Sequence, residues 1–315
     1  MMETIHTKNG TSLDEIDLMD LMKFIWNDKI VVIFTTSIFA IISVVYVLSL
    51  PNIYSSETLL APNNINSGGA SSQISSQIGG LASLAGMNLG SISGGQEAKI
   101  NTAIEILGSR QFFKDYLYED LLVEIMAAKS FDNNSQMLTI DDELYDSGTG
   151  DWLLPNGGVG VKPTVQKTYN TFIKSSSIKK DKFTGFVTIS YDHISPIVSQ
   201  KVVDRMVKGV NQALRKTDID ASNKSIIYLM QEIKKTSLVS LQQAFSRLIE
   251  EQTKTMMLAN LTEEYIFRTI DPPVVSELKS GPSRSIICIV ITFIGGLIAI
   301  LISFFRFSFY NKKNK

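Results

Sequence analysis

The chain has 315 residues, a net charge of −1, and 30 basic against 31 acidic side chains. This balance gives no sign of the basic surface that nucleic-acid-binding proteins carry. Its single cysteine, Cys288, excludes a disulfide within the chain, and no Cys/His cluster has the spacing of metal ligands. The mean hydropathy of +0.11 is high for a chain with 19% charged residues, so the apolar residues must be concentrated in particular segments.

The first such segment is the uncharged run at 30–50, IVVIFTTSIFAIISVVYVLSL, which predicts a transmembrane helix. A helix needs about 20 residues to cross a bilayer, and it satisfies its own backbone groups in lipid. The alternative is a cleaved signal peptide. The acidic leader before the run, the length of the run and the lack of an A-x-A site argue against that alternative. Residues 1–29 are then predicted to be a cytoplasmic leader.

Shorter elements follow this helix. NIYSSETLLAP predicts a strand that ends at Pro62, and the Gly/Ser-rich residues 63–96 predict a mobile loop without a phosphate-binding motif. Apolar residues at three-to-four spacing predict helix over 97–129, whereas 130–162 are predicted to be irregular. TVQKTYNTFIKSSSIKK predicts another helix, and FTGFVTISY alternates as a strand does.

A long helical region is predicted over about 196–268. Ser195 can cap a helix, Pro196 fits its first turn, and Gly209 is the only helix breaker that follows within the region. An apolar stripe recurs there at roughly helical spacing, at Ile226, Met230, Ile233, Leu241, Phe245, Leu248 and Met256. The region is either one helix or two broken near TDIDASN. Seventy helical residues would extend about 100 Å, so the stripe is predicted to pack against another helix of this chain or of neighbouring copies.

The end of the chain combines helix breakers with a second apolar run. YIFRTI predicts a return strand, and the connector after it contains Pro272, Pro273 and Pro282. Proline ends regular structure and stiffens a connector, so these residues are predicted to fix how the domain joins the next helix. IICIVITFIGGLIAILISFF, at 286–305, predicts the second transmembrane helix.

Within that second run, Gly295 and Gly296 allow close approach of another helix. The packing partner is predicted to be the first membrane helix, a neighbouring copy or another protein in the membrane. Ordinary membrane-helix composition explains the same glycines equally well.

Lysine and arginine near the membrane segments predict the orientation. Lys23 and Lys29 lie shortly before the first segment, and no basic residue follows it until Lys99. Arg306 and three lysines follow the second segment, whereas two basic residues on its other flank oppose this slightly. Both termini, including the tail at 306–315, are therefore predicted to be cytoplasmic. Residues 51–285 are predicted to form one periplasmic domain of a bacterial inner-membrane protein.

No catalytic constellation is recognisable in the sequence. His193 is predicted to be a surface residue, and neither a nucleophile elbow nor a zinc-protease motif occurs. Neighbouring glutamates such as Glu250 and Glu251 point in different directions on a helix, which is typical of solvated faces. No catalytic, cofactor or metal site is therefore predicted. An enzyme would need Asp and Glu side chains to converge in a cleft.

The order of these segments resembles the polysaccharide co-polymerases, or O-antigen chain-length determinants of Wzz type. The similar segments are DEIDLMDLMKFIWNDK, LPNIYSSETLLAP, TGFVTISYDHISP, SIIYLMQEIKKT and MLANLTEEYIFRTIDPP with the GPSR that follows. One departure is VVSELKSGPSR, where Ser276, Leu278 and Lys279 stand at positions where the family usually has more prolines. The insert GGLASLAGMNLG is more similar to the exopolysaccharide and capsule branch, whose members often continue into a tyrosine kinase. That kinase activity is not carried over to this chain.

The resemblance implies an α+β periplasmic domain, with a membrane-proximal α/β base and a long extended helix, flanked by two transmembrane helices. It also implies a homo-oligomeric ring whose partners are a polysaccharide polymerase and a lipid-linked glycan. The implied function is non-enzymatic control of the chain length of a surface polysaccharide, with lipopolysaccharide O-antigen as the first candidate. The alternatives are a capsule or exopolysaccharide co-polymerase with a separate tyrosine kinase, and a sensor, which would need a cytoplasmic output module.

Overall fold

The computed structural model describes residues 28–63, 95–154 and 158–313. The chain divides into two units, one of Asn52–Ser280 and one formed by the residues on either side of it. The predictions for the leader up to residue 27 and for the loop at 64–94 lie outside the described residues.

The described residues form eight helices and eight strands. The helices are α1 Lys29–Ser49, α2 Gly95–Leu107, α3 Arg110–Tyr116, α4 Tyr118–Met126, α5 Val165–Ser175, α6 Pro196–Lys235, α7 Val239–Leu261 and α8 Arg284–Lys313. The strands are β1 Tyr54–Pro62, β2 Ala128–Asp132, β3 Met137–Ile140, β4 Tyr145–Asp146, β5 Asp151–Trp152, β6 Ser176–Lys180, β7 Val187–His193 and β8 Phe267–Asp271.

A four-stranded antiparallel sheet, in the order β6-β7-β1-β8, organises the unit of Asn52–Ser280. The strands predicted at NIYSSETLLAP, FTGFVTISY and YIFRTI are confirmed as β1, β7 and β8. Alternation along β7 buries Val187, Ile189 and Tyr191 in the core. The first and last strands of this unit are therefore neighbours in the sheet, since β1 pairs with β8.

The first half of α6 lies across this sheet and forms the centre of the core. Ser195 accepts a hydrogen bond from the Val198 N–H and Pro196 occupies the first turn, so the predicted helix start is confirmed. The Ser199 hydroxyl donates to the Tyr191 carbonyl and accepts from the Ser56 N–H at 2.8 Å. This one hydroxyl therefore ties α6 to both central strands.

Gly209 lies where α6 passes closest to α3. A Cβ at this position would lie 3.0 Å from Cζ of Phe112 and 3.2 Å from Cβ of Tyr116. Phe112 is itself buried, so its ring has no space to move away. The helix breaker seen in the sequence is therefore a packing requirement inside an unbroken helix.

Three boundaries differ from the sequence predictions. The helix predicted over 97–129 is divided into α2, α3 and α4, because the Ser109 hydroxyl accepts from the Phe112 N–H and starts a new helix. The region at 130–162 is not wholly irregular, since it contains the hairpin β4–β5 and most of the hairpin β2–β3. The helix predicted for TVQKTYNTFIKSSSIKK ends at Ser175, where the chain becomes β6 and pairs with β7.

The long helical region consists of two helices, but the break predicted near TDIDASN is wrong. Helix α6 continues through that segment to Lys235, because Ser222 is buried there beside α7, with its Oγ 3.2 Å from Oε1 of Gln252. The break falls at 236–238, where the Thr236 carbonyl accepts from the Gln242 amide. The far half of α6 packs antiparallel against α7, and we call this pair the helical hairpin. Part of the predicted stripe lies on the two helices of this hairpin, and its role in packing between copies stays a prediction.

Helices α1 and α8 contain the two segments, Lys29–Ser49 and Arg284–Arg306, that are long and apolar enough to cross a membrane. They coincide with the two predicted apolar runs. The predicted fold class, an α+β domain flanked by two membrane-type helices, is therefore confirmed. The periplasmic location of the domain stays a prediction.

Candidate functional site

The two membrane-type helices pack directly on each other, and Gly295 lies at their contact. A Cβ at Gly295 would collide with Cβ of Phe39, far inside van der Waals contact. Any side chain there would push α8 away from α1. Gly296 differs, because a Cβ at that position would have no atom within 4 Å. The two glycines that the sequence presents as a pair therefore have separate roles.

A shallow apolar groove runs along the α1–α8 pair on the side of Gly296. The Thr36 hydroxyl donates to Val32 and the Ser43 hydroxyl donates to Ala40, both within their own helix. Because these hydroxyls are satisfied, the groove offers mainly shape and apolar surface. It is lined by Thr36, Ala40, Ser43, Val44, Cys288, Ile289, Thr292, Phe293, Gly296, Leu297 and Ile300.

The proline-rich connector is fastened to the domain by side chains that the sequence did not point to. Pro272 is exposed and Pro273 is half-buried, and the Pro273 carbonyl accepts from the Gln200 amide at 3.2 Å. The Ser56 hydroxyl donates to the Val274 carbonyl at 2.8 Å. The rigidity expected from proline is therefore supplemented by donors on β1 and α6. Pro282, the third predicted connector residue, is half-buried two residues before α8.

The predicted packing stripe divides into two groups on the helical hairpin. Ile226, Ile233, Phe245 and Leu248 are half-buried on the two helices that pack together. Met230 and Leu241, at 51% and 42% exposure, instead face solvent. The sequence periodicity missed this division because it does not show which face the second helix covers. Further large apolar side chains are exposed on or near the tip at Ile227, Tyr228, Leu238 and Val239.

A buried carboxamide joins α6 to the return strand. Asn211 is 4% exposed, and its Oδ1 accepts from the N–H groups of Ile266 and Phe267 at 2.8 and 3.0 Å. Its Nδ2 donates to the Phe267 carbonyl at 3.2 Å. The sequence contains no signal for this contact, because the partners lie more than 50 residues apart.

A second polar cluster lies farther along α6, around Asp218. Its Oδ2 accepts from the Tyr265 hydroxyl at 2.6 Å and from Nζ of Lys99 at 2.8 Å. Burial and the bond to Asp218 raise the pKa of Tyr265 above its ordinary value, so the phenol stays protonated and donates. This cluster connects α2, α6 and the segment before β8.

His193 is not the surface residue that the sequence predicted. Its Nδ1 accepts from the Ser195 N–H at 3.1 Å, and its Nε2 lies 3.0 Å from the Glu124 carbonyl. Because Nδ1 must accept, the proton sits on Nε2 and is donated to that carbonyl. Burial lowers the pKa of His193, so the neutral ring is favoured in the folded protein. The prediction was wrong because the end of β7 is covered by α4.

Replacing His193 with glutamine is expected to change how stability depends on pH. The pKa of His193 in the folded protein lies below the value of about 6.5 expected in an unfolded chain, so the stabilising contribution is present above that pH. It is lost as the pH falls from about 6.5 through the folded pKa, because the unfolded chain then binds the proton first. Gln can donate and accept at similar positions but does not titrate.

We expect the melting temperature of the unmodified protein to fall more steeply than that of His193→Gln between about pH 7 and about pH 5. Both proteins have the same carboxylates, so the carboxylate contribution to the pH dependence is the same in both and does not affect the comparison. Parallel curves over this range would contradict the assigned protonation state.

Among the described residues, no group of three or more His, Cys, Asp and Glu side chains is placed to hold a metal ion. The prediction of no catalytic or cofactor site stays a prediction.

Part of the chain is similar to a known protein family. A family model described as "Wzz: Chain length determinant protein" matches residues 14–119. The family predicted from the sequence agrees with this match, which covers about a third of the chain. The matched segment includes α1, β1, α2 and α3. No curated protein sequence matches the chain.

Two solved structures are similar to this chain at low identity. One is described as a full-length bacterial polysaccharide co-polymerase, with 13% identity over 95% of this chain and 100% of that chain and a TM-score of 0.42. The other is a fragment of WzzB, a polysaccharide co-polymerase from Salmonella Typhimurium. It has 10% identity over 73% of this chain and 100% of that chain, and a TM-score of 0.28.

Proposed function

We propose that this protein regulates the chain length of a lipid-linked surface polysaccharide and does so without catalysing bond formation. The observation that carries the proposal is the Wzz chain length determinant match over residues 14–119. The α+β domain between two apolar helices agrees with a protein that acts at a membrane.

The proposal includes a homo-oligomer whose copies contact each other through the helical hairpin. A hairpin of two helices buries one apolar stripe by itself, so further exposed apolar side chains need another partner. Met230 and Leu241 are such side chains, and Ile227, Tyr228, Leu238 and Val239 enlarge the same end of the hairpin. Neighbouring copies would cover this surface in a ring.

The proposal places the α+β domain in the periplasm of a bacterium and both termini in the cytoplasm. Arg306 and the lysines after it support this orientation through the positive-inside rule. A polysaccharide polymerase is the proposed membrane partner. The apolar groove beside Gly296 supports this part, because small residues let a neighbouring helix approach closely.

Lipopolysaccharide O-antigen is the first candidate glycan. Capsule or exopolysaccharide, made with a separate tyrosine kinase, is the second. The Gly/Ser-rich insert GGLASLAGMNLG favours the second, because it is more similar to that branch of the family.

The test is the glycan length distribution of the host. The gene is deleted, then restored on a plasmid, and lipopolysaccharide is separated on a silver-stained gel while capsule and secreted polysaccharide are sized by gel filtration. We expect one of these polymers to lose its modal length on deletion and to recover it on restoration. The polymer that responds identifies the glycan. Unchanged distributions of all three polymers would overturn the proposed function.

A separate test addresses the oligomer. Met230→Glu is expected to reduce the mass of the complex in nanodiscs, because it places a carboxylate in the apolar surface that neighbouring copies would bury. Gln231→Glu is the matched control, since it introduces the same charge at the next exposed position of α6. Mass photometry is expected to show smaller assemblies for Met230→Glu alone, with an unchanged melting temperature for both variants. Equal masses would exclude this surface as the subunit contact.

A further inference from the structure

We propose that the connector after β8 is a membrane-surface anchor, with Val274, Val275 and Leu278 embedded among the lipids at the polar–apolar boundary of the bilayer. The partner is the lipid surface itself. This inference rests on α1 and α8 crossing the bilayer and not on the polysaccharide function.

The first observation is the exposure of the connector's apolar side chains. Leu278 is 82% exposed and Val274 is 61% exposed, and Val275 is exposed beside them. Three large apolar side chains within five residues of an irregular segment are unusual on a surface that faces only water. These side chains lose contact with water only if something outside the domain covers them.

The second observation is that the backbone of this segment is held in place while the side chains face outward. The carbonyls of Asp271 and Val274 accept hydrogen bonds from the hydroxyls of Thr58 and Ser56, at 2.7 and 2.8 Å. Both donors lie on β1, the strand that begins soon after α1. The apolar side chains are therefore presented from a fixed position, which lowers the entropy cost of inserting them.

The third observation identifies the lipid surface as the partner. Ser280 stands four residues before Arg284, the first residue of α8, and its N–H donates to the Ile53 carbonyl at 2.9 Å. Ile53 stands four residues after Ser49, the last residue of α1. Four extended residues span at most about 14 Å. Leu278 precedes Ser280 by only two residues. The connector is thus four residues from α8 along the chain and hydrogen-bonded to a residue four residues after α1, so the chain length allows it to reach the bilayer interface.

Charge in the connector agrees with an interfacial position and not with deep insertion. Lys279 and Glu277 flank Leu278, and both are exposed. A lysine stem can lie along acyl chains while its ammonium reaches the phosphates, whereas a glutamate stays at the water side. A position at the polar–apolar boundary therefore suits Glu277, Leu278 and Lys279 together.

A single-cysteine fluorescence experiment tests this directly. Cys288 is the only cysteine, so Cys288→Ser gives a background in which one new cysteine can be labelled. Leu278→Cys and Phe183→Cys are each labelled with a nitrobenzoxadiazole dye. Phe183 is the matched control because it is an equally apolar and 99% exposed residue in the β6–β7 turn. That turn lies at the opposite end of the sheet from Tyr54, because Tyr54 pairs with His193 and Leu60 with Val187.

The full chain is reconstituted into vesicles of phosphatidylethanolamine and phosphatidylglycerol, with or without a lipid that carries a nitroxide near the headgroup end of its acyl chain. We expect blue-shifted emission at Leu278→Cys, quenched severalfold more strongly by the nitroxide lipid than at Phe183→Cys, and protected from aqueous iodide. Blue-shifted emission without nitroxide quenching would assign the surface to a contact between copies and overturn the proposal. Emission and iodide quenching equal to those of Phe183→Cys would leave the connector in water and overturn it as well.

Discussion

Gly295→Ala is expected to abolish the modal polysaccharide length, whereas Gly296→Ala leaves it intact. The two variants add the same methyl group one residue apart on α8. At Gly295 the new Cβ would collide with Cβ of Phe39, whereas at Gly296 it would meet nothing within 4 Å beyond its own helical turn. Overpacking of this kind costs about 1–3 kcal/mol, so the α1–α8 pair must separate or rotate. Gly295→Leu is expected to have a larger effect in the same direction.

Three measurements check this prediction. Immunoblots of membrane fractions establish that both variants insert normally, and the glycan length distribution reports function. The double variant Phe39→Gly/Gly295→Ala removes the Cβ that causes the collision, so it is expected to recover part of the modal length. A normal distribution for Gly295→Ala at normal protein level would show that close packing of α1 on α8 is not needed for function.

Asn211→Ala is expected to give the largest loss of stability in the α+β domain. The change removes the acceptor of two buried N–H groups, those of Ile266 and Phe267, and the donor to the Phe267 carbonyl. Each unsatisfied buried group costs about 1–3 kcal/mol, so the sum is several kcal/mol. A typical domain has only about 5–15 kcal/mol of stability in total. We therefore expect the return strand β8 to detach first and the connector to lose its anchor.

Asn223→Ala is the matched control, because Asn223 lies on the same helix and is exposed. Alanine there is expected to keep or slightly raise stability, since it favours helix more than asparagine does. Thermal unfolding of the full chain in detergent, followed by circular dichroism, gives the comparison. Limited proteolysis is expected to cut Asn211→Ala near β8 at temperatures where the control resists. Coinciding transitions for the two variants would contradict the assigned role of Asn211.

Predictions from the sequence were correct where the interactions join residues close in sequence, and they failed where the partners are distant. The strands β1, β7 and β8 and the start of α6 were predicted correctly because alternation and capping act between residues close in sequence. The partial burial of His193 was not predicted, because it depends on α4, about 70 residues earlier in the chain. The same reason explains why Asn211 and the donor Ser56 were not recognised, since each has a distant partner.

The sequence by itself determined that two apolar runs flank a mixed α+β domain, and the order of its motifs indicated the family. These features depend on hydrophobicity, periodicity and length, which are properties of a segment alone. Only the tertiary structure decided that α6 continues through TDIDASN, that the stripe divides into a covered and an exposed group, and that Gly295 and Gly296 are not equivalent. Each of these depends on which atoms of a distant segment occupy the space beside a residue, and a linear pattern does not specify those neighbours.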